Sequence, residues 1–131
     1  MKNAFCYRNS EIIEFFIFKE PILYEKNKIK LINFLASNYN LKNKENLFKI
    51  IFNNNKIIQE YINSAGVCNK KFTESFIDFM LSLDDGNFDV NILFDKCYDR
   101  EYLECCDKLL NDKFQLNKEK ENVNNKKRCL H

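Results

Sequence analysis

Two glycines and one proline serve the whole of this 131-residue chain. All-β folds turn every few residues and draw on these residue types to do so. Their scarcity argues for helices joined by short turns, with asparagine as the main punctuation. The length gives room for one domain and one modest core, and a hydrophobic share of 45% is enough to fill it. Asparagine, lysine and isoleucine recur throughout. Their codons are A/T-rich, so we read the bias as genome drift, in a parasite, a symbiont or a large DNA virus, rather than as a functional Asn-rich surface.

Charge and cysteine content narrow the function classes. Twenty-one basic residues face 19 acidic ones, for a net charge of +2. That balance argues against nucleic acid or an anionic membrane as partner. The opening "MKNAFCYRNSEIIEFFIFKEP" lacks the charge-free apolar stretch of a signal peptide, and no apolar run is long enough to span a bilayer. The six cysteines are therefore expected as reduced thiols in a cytosol, a host's cytosol if the source is viral or parasitic. Cys129 is third from the end of "KKRCLH", so a prenylation signal does not fit.

Hydrophobic periodicity predicts a series of short amphipathic helices. "SEIIEFFIFKE" (10–20) is the first, with Ser10 as cap and Ile12, Ile13 and Phe16 inward, and Pro21 is expected to break it. "KIKLINFLASN" (28–38) carries Ile29, Ile32, Leu35 and Ala36. "KENLFKIIFNN" (44–54) and "NKIIQEYINSA" (55–65) follow as a pair, with Gly66 placed for a left-handed helix end. "TESFIDFMLSL" (73–83) starts at Thr73, a predicted cap, and ends at "DDGN", where Gly86 punctuates. "NILFDKCYD" (91–99) and "EYLECCDKLLN" (101–111) form another pair. From 118 to 131 the chain is polar and is expected to be a flexible tail on a domain spanning 1–117.

Three stretches align at nearly one offset, which points to a repeat. Residues 7–17 match 52–62, and 31–38 match 76–83, both 45 positions on; 46–54 match 92–100, 46 on. The alignment predicts 7–17, 52–62 and 102–110 as equivalent outer helices.

"CYDREYLECCDKLLNDKFQLN" resembles the helix-turn-helix of an ankyrin repeat, through Leu103, Glu104, Leu109, Leu110 and a closing Asn117. "NLFKIIFNNNKIIQEYINSAGVCN" (46–69) is similar, with Leu47, Ile57, Ile58, Ile62, Gly66 and Asn69. "FIDFMLSLDDGNFDVN" (76–91) closes on Asp89-Val90-Asn91, and 31–48 is a looser match. The Thr-Pro-Leu-His opening of the family is absent, and the closing asparagines stand 22 and 26 apart against a family period of 33. The resemblance implies an all-α solenoid of stacked helix-turn-helix units with a shortened period. It also implies a non-enzymatic role: binding a partner protein through inner helices and turn tips. The turns then supply the partner-binding candidates Asn53, Asn54, Asn55, Asp85, Asn87, Tyr98, Asp99 and Arg100. The alternative is a compact helical bundle, a viral or parasite effector that takes a host protein in a groove.

The residues that could do chemistry read more simply as structure. Tyr102, Leu103, Cys105, Cys106, Leu109 and Leu110 make one broad apolar helix face, so Cys105 and Cys106 are expected in the core. Cys6, Cys68 and Cys97 are read the same way. No Cys-x-x-Cys is present for a metal. His131, the only histidine, is the last residue and is not held to any nucleophile. Asp84, Asp85, Asp95, Asp99 and Glu101 are read as a solvated face, and the lysines and arginine of 118–128 as a solvated tail. No phosphate loop or nucleophile motif occurs. No enzyme activity, cofactor, metal or small-molecule substrate is therefore expected, and the partner is a protein.

Overall fold

The computed structural model describes residues 18–37, 44–64, 69–122 and 124. The fold is all-α. Six helices follow one another among those residues: α1 (Pro21–Ser37), α2 (Lys44–Ile51), α3 (Asn55–Ser64), α4 (Lys70–Ser82), α5 (Asn91–Asp99) and α6 (Leu103–Leu109). No helix among the described residues is long and apolar enough to cross a membrane.

Local chemistry sets the helix ends. Pro21 follows the end of a helix, as the sequence suggested, since residues 18 and 19 are helical and Glu20 is not; it also begins the next one. A proline in the first turn has no N–H to lose and its φ is already helical, so "PILYEKN" is the opening of α1. Residues 10–17 of the predicted first helix lie outside the described residues, as do Gly66, Cys6, Cys68, Cys129 and His131. α4 starts three residues earlier than expected. Its cap is Asn69, whose side chain accepts the Phe72 N–H at 2.9 Å. Thr73 is inside the helix and buried, its hydroxyl bonded back to the Asn69 carbonyl at 2.8 Å. α5 ends in a Schellman turn: Tyr102 N–H reaches the Cys97 carbonyl at 2.9 Å and Glu101 N–H reaches that of Tyr98 at 3.0 Å. This closure needs a left-handed residue, and Glu101 takes it with φ 59°.

The helices pack in two rows. α2 lies against α4, and α4 against α6; in the other row α3 lies against α5. α5 and α6 also pack on each other. The Lys28–Glu60 ion pair (3.4 Å) ties α1 to α3, and Lys108–Asp78 (2.8 Å) and Lys70–Glu104 (3.1 Å) tie α6 to α4. Such exposed pairs are worth about 0–1 kcal/mol each, so apolar packing holds the rows. α3 buries Ile57, Ile58, Tyr61 and Ile62, and α4 buries Phe72, Phe76, Ile77 and Met80. Phe76 sits 4.8 Å from the Phe52 ring and 4.9 Å from that of Tyr61. Cys97, Cys105, Cys106 and Leu109 are fully buried between α5 and α6.

This row order corrects the 45-residue alignment. α3, which takes in most of 52–62, keeps company with α5, whereas α6 (within 102–110) keeps company with α4. The two stretches are therefore not equivalent helices. The stretch 46–69 likewise takes in parts of α2 and α3, which lie in different rows, and ends at Asn69, the cap of α4. Asn-rich, isoleucine-rich helices align with one another in any frame, and that similarity hid the frame. Neighbours within a row start 36 positions apart, at Asn55 and Asn91, and 26 and then 33 apart, at Lys44, Lys70 and Leu103. Asn69 heads α4, so the 22-residue spacing counted from it does not run from loop end to loop end.

The loops that follow α4 and α6 lie side by side. Gln115 N–H donates to the Phe88 carbonyl at 2.8 Å and Val90 N–H to that of Gln115 at 3.1 Å, an isolated parallel bridge between Asp89 and Gln115. Phe88 and Phe114, again 26 apart, both turn into the core. The chain past 117 is not a bare tail at its start. Residues 119–122 are helical, Lys120 bonds Asp95 and lies over the Phe94 ring at 6.0 Å, and Asn124 donates to Asp107 at 2.9 Å.

Candidate protein-interaction edge

The heads of α3 and α5 form one polar edge. Asn54 caps α3, its side-chain oxygen accepting the Ile57 N–H at 3.0 Å, and its amide donates to Asn53 at 3.0 Å. Asn55 reaches across to the Asp85 carboxylate at 3.3 Å. Gln59 clamps the next loop in both directions: its amide donates to the Asp89 carbonyl at 2.9 Å and accepts the Asp89 N–H at 3.1 Å. Further along, Gln115 donates to the Asn87 carbonyl at 3.4 Å, and Asn117 N–H donates to the Asn91 side chain at 2.9 Å. Each loop is held to its neighbour by side-chain amides that satisfy backbone groups a ladder would otherwise pair.

The Asp89 carboxylate has a lowered pKa. The Asn91 backbone N–H (3.0 Å) and then the Asn91 amide (2.8 Å) both donate to it and hold it below the ordinary aspartate value. Asp84, Asp85 and Asp89 are exposed, so the edge is acidic as well as amide-rich.

Five of the sequence-derived candidates come together on this edge: Asn53, Asn54, Asn55, Asp85 and Asn87. Tyr98, Asp99 and Arg100 do not. They stand at the other end of α5, roughly 12 Å along its axis from Asn91, in the Schellman turn. The expectation that all three turns occupy equivalent places fails for a topological reason. Residues 53–55 and 84–87 each lead from one row into the other in the same direction, whereas 98–100 leads back.

Sequence reasoning missed Gln59, Asp89 and Lys113. Gln59 is the polar break in "IIQEYI", and that break was its only signal. Lys113 gave none. Its ammonium donates to the Leu81 carbonyl at 2.8 Å and to the Leu83 carbonyl, so a lysine from the loop after α6 serves as cationic cap for α4, which has no basic residue in its own last turn. Gly86 lies beside it. Its φ is not positive, so it is no left-handed punctuation. A Cβ there would stand 2.9 Å from Lys113 Cε and 3.0 Å from the Met80 carbonyl oxygen, so the loop needs the space.

Chemistry elsewhere is quiet. Among the described residues no three His, Cys, Asp or Glu side chains gather to hold a metal. The Cys97 thiol is pushed well above its ordinary pKa by a hydrogen bond with Cys105 and by burial. Cys106 makes a long contact of 3.9 Å to the Phe94 carbonyl. Thiols so placed pack as small hydrophobes and resist reaction. Comparison with family models, with curated proteins and with solved structures finds no match to this chain.

Proposed function

We propose that this chain is a non-enzymatic protein-binding module, built as a short ankyrin-like solenoid of helix pairs. The pairs are α1/α2, α3/α4 and α5/α6, each stacking like with like. The observation that supports the reading is the register of the last two steps, which advance by 36 and 33 residues, close to the family period of 33, after a shorter step of 26 from α2 to α4, with the loops after α4 and α6 in parallel contact. A helix pair of this kind cannot bury its apolar face alone, and stacking completes the core while leaving the turn edge repeated and exposed. The partner surface is then the edge of Asn53, Asn54, Asn55, Asp85 and Asn87, with Tyr98, Asp99 and Arg100 as a separate site.

The test is capture of binding proteins by the full chain, followed by affinity measurement with each purified partner. Asn55→Arg and Asn87→Arg are expected to weaken binding at least tenfold without loss of helicity, as centrally placed contacts do. A partner indifferent to both edge variants and to Arg100→Ala overturns the assignment of the surface. The second reading, a bundle that takes a host protein in a groove, gains support from one feature: an aromatic groove opens between α2 and α4.

A further inference from the structure

The groove has a cavity volume of about 700 Å³ and runs between two helices of the same row. Three rings make its floor. Phe48 stacks on Phe79 at 5.7 Å and on Phe52 at 5.9 Å, and Phe52 meets Phe79 at 6.2 Å. Phe48 and Phe52 are buried, whereas Phe79 is only partly covered and offers its ring to the opening. Leu83 closes one end and Asn53, from the polar edge, also lines it. Each ring is held by two others, so this floor costs little ordering when something binds.

The rim is charged on both sides but not symmetrically. Asp78 on α4 is engaged by Lys108 at 2.8 Å. Lys49 on α2 is exposed and makes no ion pair among the described residues. The electrostatic demand of the groove is therefore for one negative charge opposite Lys49. Its length is set by its lining, Ser75 to Ser82 on α4, or roughly 10 Å of axis. That accommodates about two turns of a helix laid alongside.

We infer that this groove takes an amphipathic helix from the partner protein, with large apolar side chains on the Phe48, Phe52 and Phe79 floor and a carboxylate against Lys49. Helix-in-groove recognition uses anchors at i, i+3, i+4 and i+7, a spacing the groove's two-turn length matches. The inference rests on the protein-binding reading above and names the contact that the partner would make next to the polar edge.

The experiment uses the full chain and three synthetic peptides of equal length: one with leucine at i, i+3, i+4 and i+7 flanked by glutamates, one with lysines in their place, and a scrambled acidic control. Saturable binding is expected for the acidic amphipathic peptide alone. Lys49→Glu should weaken it about fivefold, the scale of a charge pair at an exposed rim, and improve the lysine peptide. Ser82→Glu puts a longer, anionic side chain at the opening from an exposed position. It should weaken the acidic peptide at least tenfold, by crowding and by repulsion, while the helicity holds. Equal binding of acidic and scrambled peptides, no binding by any, or indifference to Ser82→Glu overturns the inference, as does saturation by an apolar dye that no peptide displaces. A purified partner that binds regardless of Ser82→Glu sinks the groove and leaves the module standing. Peptide binding with no protein partner found does the reverse.

Discussion

Gly86→Ala should destabilise this protein, although the glycine's backbone is one that alanine adopts freely. The added methyl would lie 2.9 Å from Lys113 Cε and 3.0 Å from the Met80 carbonyl oxygen. The second contact has little room to yield, because that carbonyl already accepts the Leu83 N–H at 3.2 Å in the closing turn of α4. The first can yield only by withdrawing the Lys113 ammonium from the carbonyls it caps. Crowding of this kind costs about 1–3 kcal/mol. Removing the cap alone, with Lys113→Ala, should cost about 1 kcal/mol. If part of the alanine's cost runs through Lys113, the double variant is cheaper than the sum by about 0.5–1 kcal/mol, a coupling expected of side chains in contact. Urea unfolding followed by far-UV circular dichroism gives all four corners of the cycle. A neutral or stabilised Gly86→Ala would refute the argument, because loss of unfolded-state entropy favours alanine wherever space permits. Strict additivity would show that the cost lies at Met80 alone.

Four further outcomes follow from the same structure. Phe76→Ala, fully buried between the Phe52 and Tyr61 rings, should cost about 3–5 kcal/mol in urea unfolding, and a cost near 1 would mean the aromatic cluster collapses around the gap. Glu101→Gly should stabilise by about 0.5–1 kcal/mol, because φ 59° strains a residue with a Cβ; destabilisation would mean the glutamate side chain earns more than the strain. Asp89 titrates below its unfolded value, so its contribution is present above the unfolded pKa and is lost as pH falls through the folded one; Asp89→Asn should flatten that part of the acid stability curve, and an unchanged curve would refute the Asn91 contacts. Peptides holding Cys97, Cys105 and Cys106 should stay unlabelled by a thiol reagent in native buffer and label fully in denaturant, and one fast native thiol among them would mark a site.

What the sequence made legible was local. The apolar face of 102–110 placed Cys105 and Cys106 in the core, and both are fully buried. The pair 91–99 and 101–111 was seen nearly to its ends. "DDGN" was read as a turn, and Asp89-Val90-Asn91 as the close of a repeat; that its Asn91 side chain accepts the Asn117 N–H had no signal in the pattern. What was not legible was the frame. Asparagine caps helices (Asn54, Asn69) and also closes loops (Asn91, Asn117), and spacing alone does not separate the two jobs. Proline at 21 marked the break that was expected, after helical residues 18 and 19, but it also opened the next helix, because the same missing N–H that ends a helix is harmless at its start. The candidate edge was half legible for the same reason. The turns were found, but which of them share a side depends on helix direction, and that is a property of the stack. Gln59 and Lys113 make their bonds to residues 30 to 32 positions away, beyond the reach of local pattern.

The central claim is that this chain binds a protein through its repeated turn edge and the groove beside it. Amide hydrogen exchange of the full chain, with and without a purified partner, tests that most directly. The account predicts slowed exchange at 53–55 and 84–87, extending into 48–52 and 75–83 if the groove is filled, with α6 unchanged. Protection confined to α6 or to 98–101, or no protein partner that protects any segment, would contradict it.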